Sequence, residues 1–262
     1  MKILVSNDDG IHATGIRTLV ESLAMDHEVY VSAPDRERSA TGHALTLHKP
    51  IRVDEIDFGL PNVTAYSVSG TPSDCVKIAL NAVLDIRPDV VVSGINHGPN
   101  LGADVLYSGT VSAALEGMIN GVPSIAVSLV NGYEKMADFG PGATFIREYL
   151  PKLLAAGIPE RTILNVNIPA VGLSDMSGIR VTDLGTRIYQ DSFEKRMDPR
   201  GNVYYWLAGE IVETSDGPTT DVKVIRDNLV SITPVTSDMT NYAALETHKP
   251  LLEVTGSILP VK

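Results

Sequence analysis

Two adjacent carboxylates, Asp8 and Asp9, follow directly on the apolar run Ile3-Leu4-Val5 and are closed by Gly10. Like charges at the end of a buried strand repel, and taking both from water is costly unless a cation or hydrogen-bond donors meet them. The stretch reads in two ways. Either Asp8 and Asp9 hold a cation, or Asn7 or Asp8 caps the following helix and Asp9-Gly10 makes a turn. Two more oxygen-bearing residues, Ser39 and Asn96, fall in strand-end loops expected at the same edge. Two carboxylates, a hydroxyl and an amide carbonyl suit Mg2+, Mn2+ or Ca2+ rather than zinc or copper. So few protein ligands leave positions for water. Taken singly, Asn96 in Gly-Ile-Asn-His-Gly is an ordinary turn residue, and Ser39 is weaker evidence still. A third element, Ser108-Gly109-Thr110, opens a run of small residues that reads as a helix start. Its free backbone N–H groups suit a phosphate, while Ser108 or Thr110 alternatively serves as a cap.

These residues need elements to carry them. Within residues 11–25, Ile16, Leu19, Val20 and Leu23 recur at helical spacing, and residues 28–32 read as a second strand. Strand, helix and strand in so short a span imply a parallel sheet. Residues 34–47 form a polar loop leaving the same edge as Asp8, long enough for a functional flap. Residues 51–58 and 63–69 alternate like strands. Thr71, Pro72 and Asp74 have the pattern of a capped helix running to about residue 84, with Cys75 packed in its first turn. Residues 89–93 are a β-branched strand of the buried parallel kind, followed by an irregular loop from Gly94 to Asp104. Residues 123–129 and 163–169 read as further strands. Residues 145–155 read as a helix interrupted or restarted near Pro151.

Beyond residue 170 the period changes. Short β segments are expected at 179–182, 187–193, 203–207 and 229–233, with a helix from Tyr242. The fold class is therefore α/β. Residues 1–170 make the core, and residues 171–262 make a β-rich extension that partly completes the core and suits an oligomerisation arm.

Composition narrows the function. The chain has 262 residues and a net charge of −11, which argues against a broad electrostatic grip on nucleic acid. Its one cysteine excludes an intramolecular disulfide framework. No basic-then-apolar leader precedes the first strand, and no apolar run approaches the roughly 18–20 residues of a membrane span. The expectation is a cytoplasmic protein with no membrane or nucleic-acid partner. No G-x-G-x-x-G, Walker-A, G-x-S-x-G, HExxH or Asp-x-Asp signature fits.

Four ordered blocks carry a resemblance. They are Ser6-Asn7-Asp8-Asp9-Gly10, then Ser39-x-x-Gly42-x-Ala44-x-Thr46, then Gly70-Thr71-Pro72-x-Asp74-Cys75, and finally the long run from Ser93 through Asn96, Asn100, Asp104 and Tyr107 to Val111. Together they resemble the SurE (survival protein E) family of nucleotidases over roughly residues 1–130, and Val230-Ser231-Ile232-Thr233-Pro234 is similar to the family's C-terminal stretch. The resemblance implies a Rossmann-like core and a metal-dependent phosphohydrolase of nucleoside 5′- and 3′-monophosphates, with short polyphosphate as a further substrate. It implies one divalent cation per subunit, Mg2+ or Mn2+, ligated by Asp8, Asp9, Ser39 and Asn96, and a C-terminal hairpin that assembles a homodimer or homotetramer.

In this reading Ser108, Gly109 and Thr110 hold phosphate oxygens, and Asn7, Gly42, His43 and His97 stand behind the ligands. Asp8 and Asp9 are the catalytic pair. They either position a cation-activated water or attack phosphorus directly. His43 or His97 either donates to the leaving group or packs its loop. The rivals are a non-catalytic nucleotide-binding regulatory module and a glycosyltransferase-like enzyme with a strand-end acidic pair.

Overall fold

The computed structural model describes residues 1–130, 137–212 and 217–252. Its main element is a nine-stranded sheet. In chain order the strands and helices are β1 (Lys2–Ser6), α1 (Thr14–Leu23), β2 (Glu28–Pro34), β3 (Val53–Ile56), β4 (Val63–Val68), α2 (Pro72–Ile78), β5 (Val90–His97), α3 (Gly109–Ile119), β6 (Ser124–Val130), α4 (Gly140–Ala155), β7 (Thr162–Pro169), β8 (Gly178–Val181), β9 (Ile188–Met197), β10 (Val203–Val212), α5 (Asp221–Arg226), β11 (Leu229–Thr236) and α6 (Tyr242–Leu252). The sheet order is β3-β4-β2-β1-β5-β6-β7-β11-β8, and β9 and β10 pair antiparallel as a separate sheet. The strands from β4 to β7 in that order run parallel.

Alternate residues of β1 face opposite layers. Ile3 and Val5 pack with Ile16, Leu19, Val20 and Leu23 of α1 and with Ile146 and Leu150 of α4. Leu4 packs on the other face with Val76 of α2 and Ala113 of α3. Each such aliphatic side chain, fully buried, contributes about 2 kcal/mol. The chain runs outward from β1 to β2 on one side and returns to β5 on the other. That reversal leaves a crevice between the carboxyl ends of β1 and β5, the place where ligands bind in open α/β sheets.

Four local expectations are corrected. The first helix has Ala13 at its N-cap with no side-chain cap, so neither Asn7 nor Asp8 caps it. The strand expected to end at residue 93 continues to His97, so Asn96 lies on β5 itself, past a register shift after Ser93. Gly94 reads as a breaker, yet a Cβ there would meet the Val127 carbonyl oxygen at 2.3 Å, so the glycine admits β6 rather than ending β5. The fourth helix is continuous from Gly140, and Pro151 lies inside it. Pro141 sits in its first turn, where proline costs no hydrogen bond, and the buried face of Ala143, Ile146 and Leu150 carries the helix on. The helix at Asp221–Arg226 has no counterpart in the sequence reading, being only six residues long.

Beyond β7, β8 and β11 add to the main sheet, while the β9–β10 hairpin stands apart. Thr71 caps α2 in a reciprocal box with Asp74, and a π-helical turn, Ala79–Val83, extends it. Cys75 is fully buried there, and burial pushes its thiol well up, which suits packing rather than nucleophilic chemistry.

Candidate functional site

A cavity of about 550 Å3 opens in the crevice. Asp8, Asp9, Ser39, Asn96 and Ser108 all line it, together with Thr14, Gly15, Glu37, Ala40, His97, Asn100, Asp104, Tyr107 and Phe139. Residues as far apart in the chain as Asp8 and Phe139 thus meet at one edge. Gly15 allows the meeting, because a Cβ there would lie 2.1 Å from the Ile95 carbonyl oxygen; α1 rests its first turn directly on β5.

Asp8 is 5% exposed. Its carboxylate accepts the Thr110 hydroxyl proton, and its backbone oxygen accepts from the Arg38 N–H at 2.7 Å. Gly109 abuts it so closely that a Cβ would stand 2.7 Å from the Asp8 Cβ. Asp9 accepts from the His97 N–H at 3.2 Å. Burial raises the Asp8 carboxyl, and burial with the Asp8 charge pushes Asp9 up to about 6. Both shifts mark carboxylates with too little positive charge around them.

Among the described residues lining the cavity, Asp8, Asp9, Glu37 and Asp104 are acidic and none is Lys or Arg. No group of three or more His, Cys, Asp or Glu side chains closes up as a metal cluster among the described residues. The donor set is instead two carboxylates with neutral oxygens. The Ser39 hydroxyl donates to Glu37 at 2.8 Å. The Asn96 amide nitrogen donates to the Gly98 carbonyl at 3.0 Å, which turns its own carbonyl oxygen the other way. These residues fit a hard divalent cation.

Ser108 is the N-cap of α3, its hydroxyl oxygen accepting from the Val111 N–H at 3.1 Å. It nevertheless lines the cavity. Thr110 is fully buried and spends its hydroxyl on Asp8. Asn7 lies behind the pair, its amide nitrogen holding the Gly10 carbonyl at 2.9 Å and its amide oxygen buried without a partner among the described residues. His97 stands on the cavity wall beside Phe139, with ring centroids 6.1 Å apart. Gly42 and His43 are not on the wall. The Gly42 N–H donates to the Tyr107 carbonyl at 3.1 Å, and His43 reaches Glu116 of α3.

Several lining residues carried no role in the sequence reading. Asn100 is the most built-in. Its N–H donates to Asn167 at 2.9 Å, its amide nitrogen to Ser128 at 2.7 Å, and its carbonyl accepts from Asn165 and Asn167 at 2.8 and 3.0 Å. This asparagine clamp fixes the loop after β5. Asp104 is held by Arg187 and by the Tyr189 hydroxyl at 2.8 Å. Asn100 and Asp104 stood within the Ser93–Val111 block, so their regularity was visible while their partners were not.

Fold and cavity define an α/β protein with an acidic, oxygen-rich pocket at the topological switch point of a parallel sheet. The model of the family described as Survival protein SurE matches residues 3–191, and the chain belongs to that family. It is 53% identical over 253 residues to a protein of Gloeothece citriformis named 5′-nucleotidase SurE, with 92% of each chain covered. It is 50% identical over 246 residues to a protein of the same name from Heliobacterium modesticaldum, covering 94% of this chain and 90% of that one. The crystal structure of the SurE protein from Aquifex aeolicus superposes with a TM-score of 0.82 at 40% identity, covering 97% of this chain and all of that one.

Proposed function

We propose that this protein is a divalent-metal-dependent 5′-nucleotidase that releases inorganic phosphate from nucleoside monophosphates. The observation that carries the reading is one cavity lined by Asp8, Asp9, Ser39, Asn96 and the Ser108 start of α3. The family membership supports the same activity.

Asp8, Asp9, Ser39 and Asn96 would hold the cation, Mg2+ or Mn2+. When bound it supplies the positive charge this acidic wall lacks and lowers the pKa of water. The chain's own groups do the rest. Thr110 fixes the Asp8 carboxylate, and the His97 N–H fixes Asp9. Ser108 and Gly109 present a helix N-terminus to the phosphate, where the dipole favours negative charge. Tyr107, 68% exposed on the wall, offers a face for the nucleoside base. Asn100 and its clamp tie the segment that leads to Tyr107 and Ser108 to β6 and β7.

The finer parts of the proposal are a cytoplasmic location, nucleoside 3′-monophosphates and short polyphosphate as further substrates, and assembly as a homodimer or homotetramer through the extension from residue 171. Exposed Phe193, Trp206 and Leu207 on the β9–β10 hairpin support an assembly role. No helix among the described residues is long and apolar enough to cross a membrane.

The test is phosphate release from AMP and GMP with added Mg2+ or Mn2+, repeated after EDTA. The expected outcome is metal-restored turnover. Nucleotide binding without phosphate release under every divalent cation would instead establish a regulatory module.

A further inference from the structure

Ser39 sits on residues 35–52, which contain no helix or strand. A cation ligand on such a segment binds well only if the segment is held in place, since an unheld one loses conformational entropy on binding. The tethers of this loop are therefore part of the site. Some are backbone contacts, the Arg38 N–H on the Asp8 carbonyl and the Gly42 N–H on the Tyr107 carbonyl. Farther along, Thr71 holds the Ala44 carbonyl at 2.7 Å, and Asp74 receives the Thr46 N–H at 3.0 Å.

Between them lies one side-chain contact of another kind. His43 Nε2 stands 2.9 Å from Glu116 Oε2. Glu116 belongs to α3, two turns from the Ser108-Gly109-Thr110 start, and only 3% of its side chain is exposed. A carboxylate buried so far needs several donors. It has them: His43, the Lys77 ammonium at 2.7 Å and the Asn120 amide at 2.9 Å. Lys77 ties α2 to α3, and Asn120 is the C-cap of α3 itself. His43 alone among these three comes from the Ser39 loop.

We propose that His43 and Glu116 form a latch that positions the Ser39 loop over the cavity. The latch places the cation-binding loop against the same helix whose first turn faces the phosphate, and with the backbone tethers it sets the distance between the two halves of the site. His43 is thus a positioning residue that acts through Ser39. It rests on the cation-site reading given above.

The test uses the full chain. Mn2+ affinity is measured by calorimetry for the wild type, His43→Ala, His43→Gln and Lys77→Met, and amide hydrogen exchange of residues 39–46 is followed in the same variants without metal. Losing a charge-assisted hydrogen bond and loosening a ligand's support is expected to weaken Mn2+ binding about tenfold in His43→Ala. Exchange of residues 39–46 accelerates there while the rest of the chain is unchanged. His43→Gln, whose amide N–H reaches Glu116, recovers most of both effects. Lys77→Met leaves both near wild type. The latch is overturned if His43→Ala binds Mn2+ within twofold of wild type with unaltered loop exchange, or if Lys77→Met weakens binding as much. If the wild type binds no Mn2+, the cation reading fails, and the exchange measurement still decides whether the latch holds the loop.

Discussion

The Thr110 hydroxyl donates its proton to the Asp8 carboxylate, joining the end of β1 to the first turn of α3 across 102 residues of chain. The bond crosses the switch point of the sheet, and both residues are almost wholly buried. It explains how a carboxylate raised by burial keeps one orientation. Thr110→Val removes the donor at nearly constant volume. The expected loss is about 1–3 kcal/mol of stability, because the buried acceptor is left unmet. Mn2+ affinity should fall about tenfold with it. Denaturant melts and calorimetry read the two effects; unchanged values in both would show that the bond does not orient Asp8.

Gly109 is the neighbour that has no room for a side chain. A Cβ would lie 2.7 Å from the Asp8 Cβ and 2.9 Å from its Oδ2. Gly109→Ala is expected to push the carboxylate out of place and to lower kcat by at least about 100-fold, in line with a misplaced catalytic group. Alanine's higher helix propensity partly offsets the strain in stability. Steady-state kinetics beside a thermal melt separate the two. Full activity in Gly109→Ala would refute the close approach.

Two carboxylates give opposite pH signatures. Asp9 is pushed up to about 6 in the fold, so between its ordinary 3.8 and about 6 the folded state holds more protons than the unfolded one. Without a cation, stability from this group rises as pH falls through that window. Cation binding displaces the proton, so affinity should weaken progressively below about pH 6. Glu116 is pulled down from 4.5 to about 2, chiefly by the His43 hydrogen bond. Its stabilisation is complete above pH 4.5 and is lost as pH falls toward 2. Titrating Mn2+ at pH 5 and 7.5 checks the first statement. Comparing acid unfolding of wild type and Glu116→Gln checks the second; identical acid midpoints would contradict it.

The asparagine clamp makes a further prediction. Asn167 both accepts from the Asn100 N–H and donates to the Asn100 carbonyl. Asn167→Leu leaves the buried Asn100 N–H unmet, which costs about 1–3 kcal/mol, while the Asn100 carbonyl keeps its bond from Asn165. Because Asn100, Asp104, Tyr107 and Ser108 share that loop, KM for nucleotide should rise together with the stability loss. A stability loss with unaltered KM would make the clamp a scaffold only.

Much of this was legible in the sequence. The α1 stripe of Ile16, Leu19, Val20 and Leu23 sits on the core as its period demands, and Thr71 and Asp74 form the box their spacing implies. Asp8, Asp9, Ser39 and Asn96 share one cavity because each follows or ends a strand of the same parallel sheet. What stayed hidden depends on distant partners. Gly94 and Pro151 look like breaks locally, but β6 packing and the buried face of α4 overrule them. The Thr110–Asp8 and His43–Glu116 pairs span 102 and 73 residues, beyond any helical or strand period. Glu37, Asn100 and Asp104 stood among recognisable residues with nothing local to say which side chain faces the cavity.

Asp9→Asn is the most direct test of the metal-dependent nucleotidase. The substitution keeps size and the hydrogen bond from His97 while removing the charge. With saturating Mn2+ and AMP, wild type should release one phosphate per AMP consumed, and Asp9→Asn should do so at least about 100-fold more slowly, given the several kcal/mol that bound-cation catalysis contributes. Phosphate release by Asp9→Asn at the wild-type rate, or wild-type release undiminished by EDTA, would contradict the assignment.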